Sequence, residues 1–186
     1  MTAGNAASDF WHSAWVASGG GPLLVLPDSL LVYWGGADSP DDAAIPRARE
    51  SGSDYDRACQ VCGHIGLLDV GPGTGLVLAD EPTDTMWARR AGDPGAYLIR
   101  WIQAENDDAM FRALEGLTNL RWEPSAHALL VPQGDLVLFD SAMPGTDILT
   151  RHARINVKQG RYRISHGLLQ PEPDTAAAVY LLAKDD

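Results

Sequence analysis

The chain has 186 residues, 45% of them hydrophobic and 21% charged, which is the composition of a globular protein with room for one domain. Its formal net charge of −11 argues against a protein that binds nucleic acid or an anionic membrane surface, because Lys and Arg supply the affinity in both cases. No run of about 18 apolar residues is available to span a membrane. The first residues lack the basic and apolar regions of a secretory signal peptide, so we expect a cytoplasmic protein.

The N-terminal third of the chain predicts a tail, a short strand and a long loop. Residues 1–10 are small and polar and predict a flexible tail, while residues 11–186 predict a single domain with a candidate division near residue 120. Leu23–Leu26 predicts a buried strand, and a second apolar run follows at residues 30–34. The sequence ADSPDDAAIPRARESGSD, residues 37–54, has the composition of a long acidic loop.

The rest of the chain predicts two helices among many strands. Asp54 is the expected N-cap of a short helix, and Asn106 is the expected N-cap of a second. The segments LLDVG, GLVLAD, AYLIRWIQAE, HALLVP, LVLFDSA and AAVYLLA predict strands, and RINV and RYRISHG, joined by QG, predict a hairpin. The fold class is therefore α+β and predominantly β. We expect eight to ten short strands and about two helices, arranged as an antiparallel sandwich or an incomplete barrel.

Three consecutive glycines, Gly19–Gly21, raise the question of a phosphate-binding loop. Such a loop needs a strand before the glycines and a helix N-terminus after them, so that free N–H groups meet the anion. Here the strand follows the glycines, and Pro22 removes a donor. We therefore expect these glycines to allow a positive φ and a close approach of the backbone at the entry to the first core strand.

The sequence CQVCGH places Cys59, Cys62 and His64 close together. A structural zinc site needs four ligands, and the chain has only these two cysteines. Tyr55, Ala58 and both cysteines fall on one face of the predicted helix, so we expect buried, reduced thiols and no metal. A redox or metal-binding role is the alternative.

Catalytic motifs are missing from the sequence, which predicts a protein that is not an enzyme and needs no cofactor. No nucleophile elbow surrounds Ser141. The pair Asp107 and Asp108 belongs to the first turn of a helix, where the helix dipole favours acids. Asp80 and Glu81 end a strand, where carboxylates form either a site or a polar turn.

Several segments in order resemble the bacterial immunity protein 21 family. They are Trp15, then SGGGPLLVLPDSLLVYWGG, DYDRAC, GLVLADEPTDTMW and YLIRW, and near the C-terminus LVLFDSA and GRYRI. The resemblance covers residues 15–182. It implies a mostly β cytoplasmic antidote of a polymorphic toxin system, which binds a cognate toxin stoichiometrically and catalyses nothing.

The charge distribution favours a basic toxin as the partner, and a nuclease is a candidate because nucleases hold nucleic acid with basic residues. Residues 1–60 contain eight acidic and three basic residues, residues 61–120 contain nine and four, and residues 121–186 contain eight and seven. Exposed loops and exposed Trp residues concentrate binding sites. We therefore expect the partner to contact Asp38, Asp41, Asp42, Asp54, Asp56, Asp80, Glu81 and Trp11.

Two other functions remain open at this stage. A β-barrel domain that holds a small molecule would show a deep pocket lined by convergent polar groups. A structural or regulatory interaction module outside toxin systems would differ from an immunity protein in the gene that lies beside its own. The sequence does not determine the oligomeric state.

Overall fold

The computed structural model describes residues 10–38, 52–79, 83–93, 95–148 and 152–185. The strands are β1 (Phe10–His12), β2 (Leu23–Pro27), β3 (Ile65–Val70), β4 (Gly73–Leu78), β5 (Thr85–Arg90), β6 (Ala96–Gln103), β7 (Glu123–Val131), β8 (Asp135–Asp140), β9 (His152–Asn156), β10 (Gly160–Glu172) and β11 (Thr175–Lys184). The α-helices are α1 (Asp54–Cys59) and α2 (Asp107–Ala113). Short 3-10 helices cover Asp28–Tyr33, Gly36–Asp38 and Leu114–Asn119.

The strands form two antiparallel sheets, and neither closes into a barrel. Sheet A has six strands in the order β1-β5-β6-β11-β10-β7, and sheet B has five in the order β3-β4-β2-β8-β9. The prediction of an α+β, predominantly β fold with antiparallel sheets is confirmed.

The core is divided into layers by the two faces of each sheet. Alternate residues of β2, such as Leu23 and Val25, face sheet A and meet residues such as Trp87 and Leu98 between the sheets. The outer face of sheet B is covered by the 3-10 helix Asp28–Tyr33, by Trp34 and by Ala58 of α1. The outer face of sheet A is covered by α2 and the 3-10 helix after it. Because both faces of sheet B are covered at β2, this strand is continuously apolar instead of alternating.

Helix α2 forms as its sequence predicts. The Asn106 side chain accepts a hydrogen bond from the N–H of Ala109 at 3.0 Å, which caps the helix. Met110, Leu114 and Leu117 form an apolar stripe that is buried against sheet A. The helix tightens into a 3-10 turn at Leu114.

The predicted hairpin between RINV and RYRISHG is wrong. Strand β9 pairs with β8 in sheet B, whereas β10 pairs with β7 and β11 in sheet A. The QG segment therefore carries the chain from one sheet to the other. Both strands alternate buried and exposed residues. This alternation determines which face of a strand is buried, but it does not determine which strand lies beside it.

The start of α1 also differs from its prediction by one residue. Ser53 is the N-cap: its hydroxyl accepts a hydrogen bond from Asp56 N at 3.2 Å, and the Asp56 carboxylate accepts one from Ser53 N at 2.8 Å. This reciprocal capping box leaves Asp54 as the first helical residue, pointing into the protein.

Candidate functional site

The three glycines bend the chain into β2 and have no free donors for a phosphate. Gly20 has φ +130°, a conformation that residues with a Cβ rarely adopt. Gly19 N donates to the Asp140 carboxylate at 2.7 Å, and Gly20 N and Gly21 N donate to the Ser18 hydroxyl at 3.1 and 3.0 Å. The Asp140 charge also repels an anion at this position.

The two cysteines lie on the surface, which corrects the prediction that they are buried. Helix α1 ends at Cys59, so Cys62 lies beyond it, and both thiols are exposed. Of the four residues expected on the apolar face of the helix, Ala58 is fully buried and Tyr55 is partly buried. Cys59 accepts a hydrogen bond from Tyr55, and this bond, with burial as a smaller cause, raises the pKa of the Tyr55 phenol.

Asp54, which the sequence predicted to touch a partner, is a structural residue. Its side chain is 1% exposed, accepts a hydrogen bond from Gly35 N at 2.8 Å and pairs with Arg57 at 2.9 Å. Arg57 also donates to the carbonyl of Asp69 in β3 at 2.7 Å. This carboxylate therefore ties α1 to the layers beneath it and is not presented to a partner.

The other predicted partner residues are placed as follows. Asp56 is exposed, and its hydrogen bonds with the Ser53 backbone and hydroxyl lower its pKa. Asp38 ends the 3-10 helix Gly36–Asp38. Trp11 lies on β1, an edge strand of sheet A, and is 52% exposed. Asp41, Asp42, Asp80 and Glu81 lie outside the described residues.

An open cleft of about 540 Å³, which we call the tryptophan cleft, forms where three segments meet at one end of sheet A. A bridge between Val16 and Thr85, with hydrogen bonds of 2.8 and 3.0 Å, fixes the segment that carries Trp15. A hydrogen bond of 2.9 Å from Trp101 N to Asp84 O joins β6 to the residues before β5. The lining residues are Trp15, Thr83, Asp84, Trp101, Ile102, Glu105, Asn106 and Asp107.

Two indole rings form the apolar wall of the tryptophan cleft. Trp15 and Trp101 meet edge to face, with ring centroids 5.2 Å apart and planes at 77°. Both rings are partly buried and pack against the cluster beneath α2. Ile102 adds an apolar side chain that is 53% exposed.

Carboxylates form the rim of the same cleft. Asp84, Glu105 and Asp107 are all exposed, and the lining residues include no Lys, Arg or His. The next cation along β6, Arg100, is 3% exposed and points to the opposite face of the strand from Trp101. An aromatic wall under a ring of carboxylates suits a cation.

Two polar atoms in the wall of the cleft are buried and unpaired. Neither Trp15 Nε1 nor Thr83 Oγ1 has a hydrogen-bond partner within the described part of the chain. A buried polar atom without a partner costs about 1–3 kcal/mol, and native proteins leave few of them.

The sequence does not show that the residues of this cleft lie together. At the level of sequence, Trp15 stands out only within the family resemblance and Asp107 only as a residue favoured by the helix dipole. The sequence signal for this cleft is the cluster of acids at the end of β6 and the start of α2, next to an isoleucine. The pairing of Trp15 with Trp101 is tertiary and has no local signature.

The described residues give less support to a serine nucleophile, a metal site or a membrane span. Ser141 donates its hydroxyl hydrogen to the carbonyl of Pro22 at 2.6 Å and is fully buried. Within the described ranges, no three His, Cys, Asp or Glu side chains are grouped so that they could hold a metal ion. Across the same ranges, each helix is too short or too polar to cross a membrane.

These observations define an α+β protein built on two antiparallel sheets, with an open acidic cleft at the end of one sheet. The family model described as immunity protein 21 matches residues 14–175, and the chain belongs to this family. The family is one of immunity proteins, which act against toxins. No curated protein and no solved structure matches the chain.

Proposed function

We propose that this protein binds a cognate protein toxin in the cytoplasm and neutralises it by stoichiometric association, without catalysis. The observation that carries the proposal is the family match over residues 14–175, which contains all five strands of sheet B, four of the six strands of sheet A and both α-helices. A protein that acts by occupying its partner needs a rigid scaffold and an exposed surface of suitable chemistry.

The charge of the molecule supports a basic toxin, and a nuclease belongs to that class. With a net charge of −11, the protein attracts a cationic partner before contact and speeds productive encounter at low salt. We include Asp38, Asp41, Asp42, Asp56, Asp80, Glu81 and Trp11 in the proposed partner surface and leave out Asp54, because its carboxylate is buried.

Co-expression with the toxin encoded beside its gene tests the proposed function. We expect the protein to restore growth of cells that produce the toxin and to co-purify with it at a fixed ratio, measured by size-exclusion chromatography with light scattering. A chain with the same tag but an unrelated sequence is the control. Failure to restore growth and to form a complex with that toxin would contradict the proposal.

A further inference from the structure

The electrostatics of sheet A differ between its two ends. Strand β11 begins at the cleft end, where Ala176 lies opposite Gln103, and it ends beside Arg161 and Arg163. The cleft end carries the exposed acids Asp84, Glu105, Asp107, Asp108, Glu172 and Asp174. Ten residues of extended strand place these ends roughly 30 Å apart. A cationic partner is therefore directed to the cleft end of the sheet.

We propose that the tryptophan cleft receives an arginine side chain that projects from the toxin, an inference that rests on the proposed function. A planar guanidinium lies over an indole face and donates paired hydrogen bonds to a carboxylate at the same time. Trp15 and Trp101 supply the faces, and Asp84, Glu105 and Asp107 supply acceptors. The exposed side chain of Ile102 contacts the aliphatic stem.

Arginine fits this cleft better than lysine because of its shape and hydration. An ammonium group is compact and strongly hydrated, whereas a guanidinium is weakly hydrated and stacks on aromatic rings. A volume of about 540 Å³ leaves room for the side chain and part of the peptide around it. A tryptophan wall with a charged rim is also the composition of an interface hot spot.

The cleft lies on the other side of the molecule from the helices that carry Asp38 and Asp56. Trp15 and Trp101 pack with the residues that cover the outer face of sheet A. Asp38 and Asp56 belong to helices beside the outer face of sheet B, where Ala58 and Trp34 are buried. The two surfaces can therefore be tested separately.

The first experiment uses the free protein and does not depend on any toxin. The probe is N-acetyl-arginine amide, and its neutral isostere N-acetyl-citrulline amide is the matched control. We expect the arginine probe to shift the indole N–H signals of Trp15 and Trp101 in ¹⁵N NMR spectra, saturating in the millimolar range, and the citrulline probe to shift them several-fold less. Equal shifts for both probes, or shifts confined to other tryptophans, would overturn the inference.

The second experiment compares two double variants that remove the same charge. Asp84→Asn with Glu105→Gln alters the cleft rim, and Glu123→Gln with Asp135→Asn alters acids on β7 and β8 that belong neither to the cleft lining nor to the proposed partner residues. We expect the cleft variant to lose about tenfold or more in affinity for the toxin, mainly through faster dissociation, and the control variant to change less than about twofold. Melting temperatures of both should match the parent chain.

The outcomes separate this inference from the proposed function. If the parent chain neutralises the toxin and both double variants bind it equally well, the cleft inference is wrong and the function stands. If the parent chain binds no toxin, the proposed function is wrong, and the arginine titration still decides what the cleft accepts. If the cleft variant alone melts at a lower temperature, its acids serve the fold, and the inference is overturned.

Discussion

Asp54 and Asp56 are two residues apart in one acidic stretch, yet they have different roles. Asp54 is buried against Gly35 and Arg57, while Asp56 is exposed and completes the capping box with Ser53. A shift of one residue in the position of the N-cap decides which of the two side chains turns inward. The sequence predicts that a helix begins here, but the direction of each carboxylate depends on what lies beneath the helix.

Substitution of Asp54 is therefore expected to weaken the fold. Asp54→Asn removes the buried charge that pairs with Arg57, and we expect the free energy of unfolding to fall by about 3 kcal/mol. Urea denaturation followed by circular dichroism measures this loss. The exposed Asp69→Asn should change it by no more than about 0.5 kcal/mol. An unchanged midpoint for Asp54→Asn would show that its carboxylate is free for a partner after all.

Tyr97 is expected to make stability depend on pH in the alkaline range. Burial, with a smaller contribution from its 2.5 Å hydrogen bond to Asp93, raises the pKa of the Tyr97 phenol well above its usual range. Above a pH of about 10 the unfolded chain loses this proton while the folded chain keeps it, so stability falls as pH rises.

Tyr97→Phe should make that alkaline fall less steep. Urea midpoints measured between pH 9 and pH 11 for the parent chain and the variant test this expectation. Tyr162→Phe is a comparison at a second phenol whose pKa burial raises, and it should have a smaller effect because the shift at Tyr97 is larger. Parallel pH profiles for the parent chain and Tyr97→Phe would show that Tyr97 does not titrate differently in the folded state.

At the scale of elements, local sequence signals predict which helices and strands form, but not which strands pair with each other. The cap at Asn106 and the strands β3 and β4 are encoded within a few residues, and each was predicted. Strand β5 was missed because its sequence, TMWARR, mixes buried and charged residues without a clear period. The partner of β9 was mistaken because pairing depends on segments far away in the chain.

The glycine entry to β2 makes a testable contact with α1. A Cβ at Gly21 would overlap the phenol ring of Tyr55, so we expect Gly21→Ala to cost about 1–3 kcal/mol of unfolding free energy. In a Tyr55→Ala background the same substitution should cost markedly less, because the obstructing ring is gone. A double-mutant cycle measured by thermal or urea unfolding gives the coupling. Additive losses would mean that the Tyr55 ring is not what opposes a Cβ at Gly21.

At the scale of the whole molecule, the acids that local composition picks out differ from those that the fold brings together. The sequence drew attention to residues 38–56 because the acids there are contiguous. The tryptophan cleft collects its acids from segments before β5, after β6 and at the start of α2, and only the fold joins them with Trp15. A site assembled in this way cannot be recognised from local composition.

The loop that contains Asp41 and Asp42 gives a kinetic prediction. Asp41→Asn with Asp42→Asn should slow association with the toxin several-fold at low salt and less at high salt, because rim charges act mainly on the rate of encounter. Stopped-flow or surface-plasmon-resonance kinetics at two salt concentrations measure the effect. The melting temperature should stay nearly unchanged. Association rates equal to those of the parent chain would remove this loop from the interface.

The position of β11 has a consequence for how the protein is made. Residues 175–184 form an internal strand of sheet A, between β6 and β10, so the sheet stays in two separate parts until this segment has left the ribosome. At a synthesis rate of roughly 5–20 residues per second, the earlier strands wait for several seconds with their apolar faces uncovered. Folding is therefore completed only after translation has passed residue 184, and a newly made molecule is ready for its partner only from that moment.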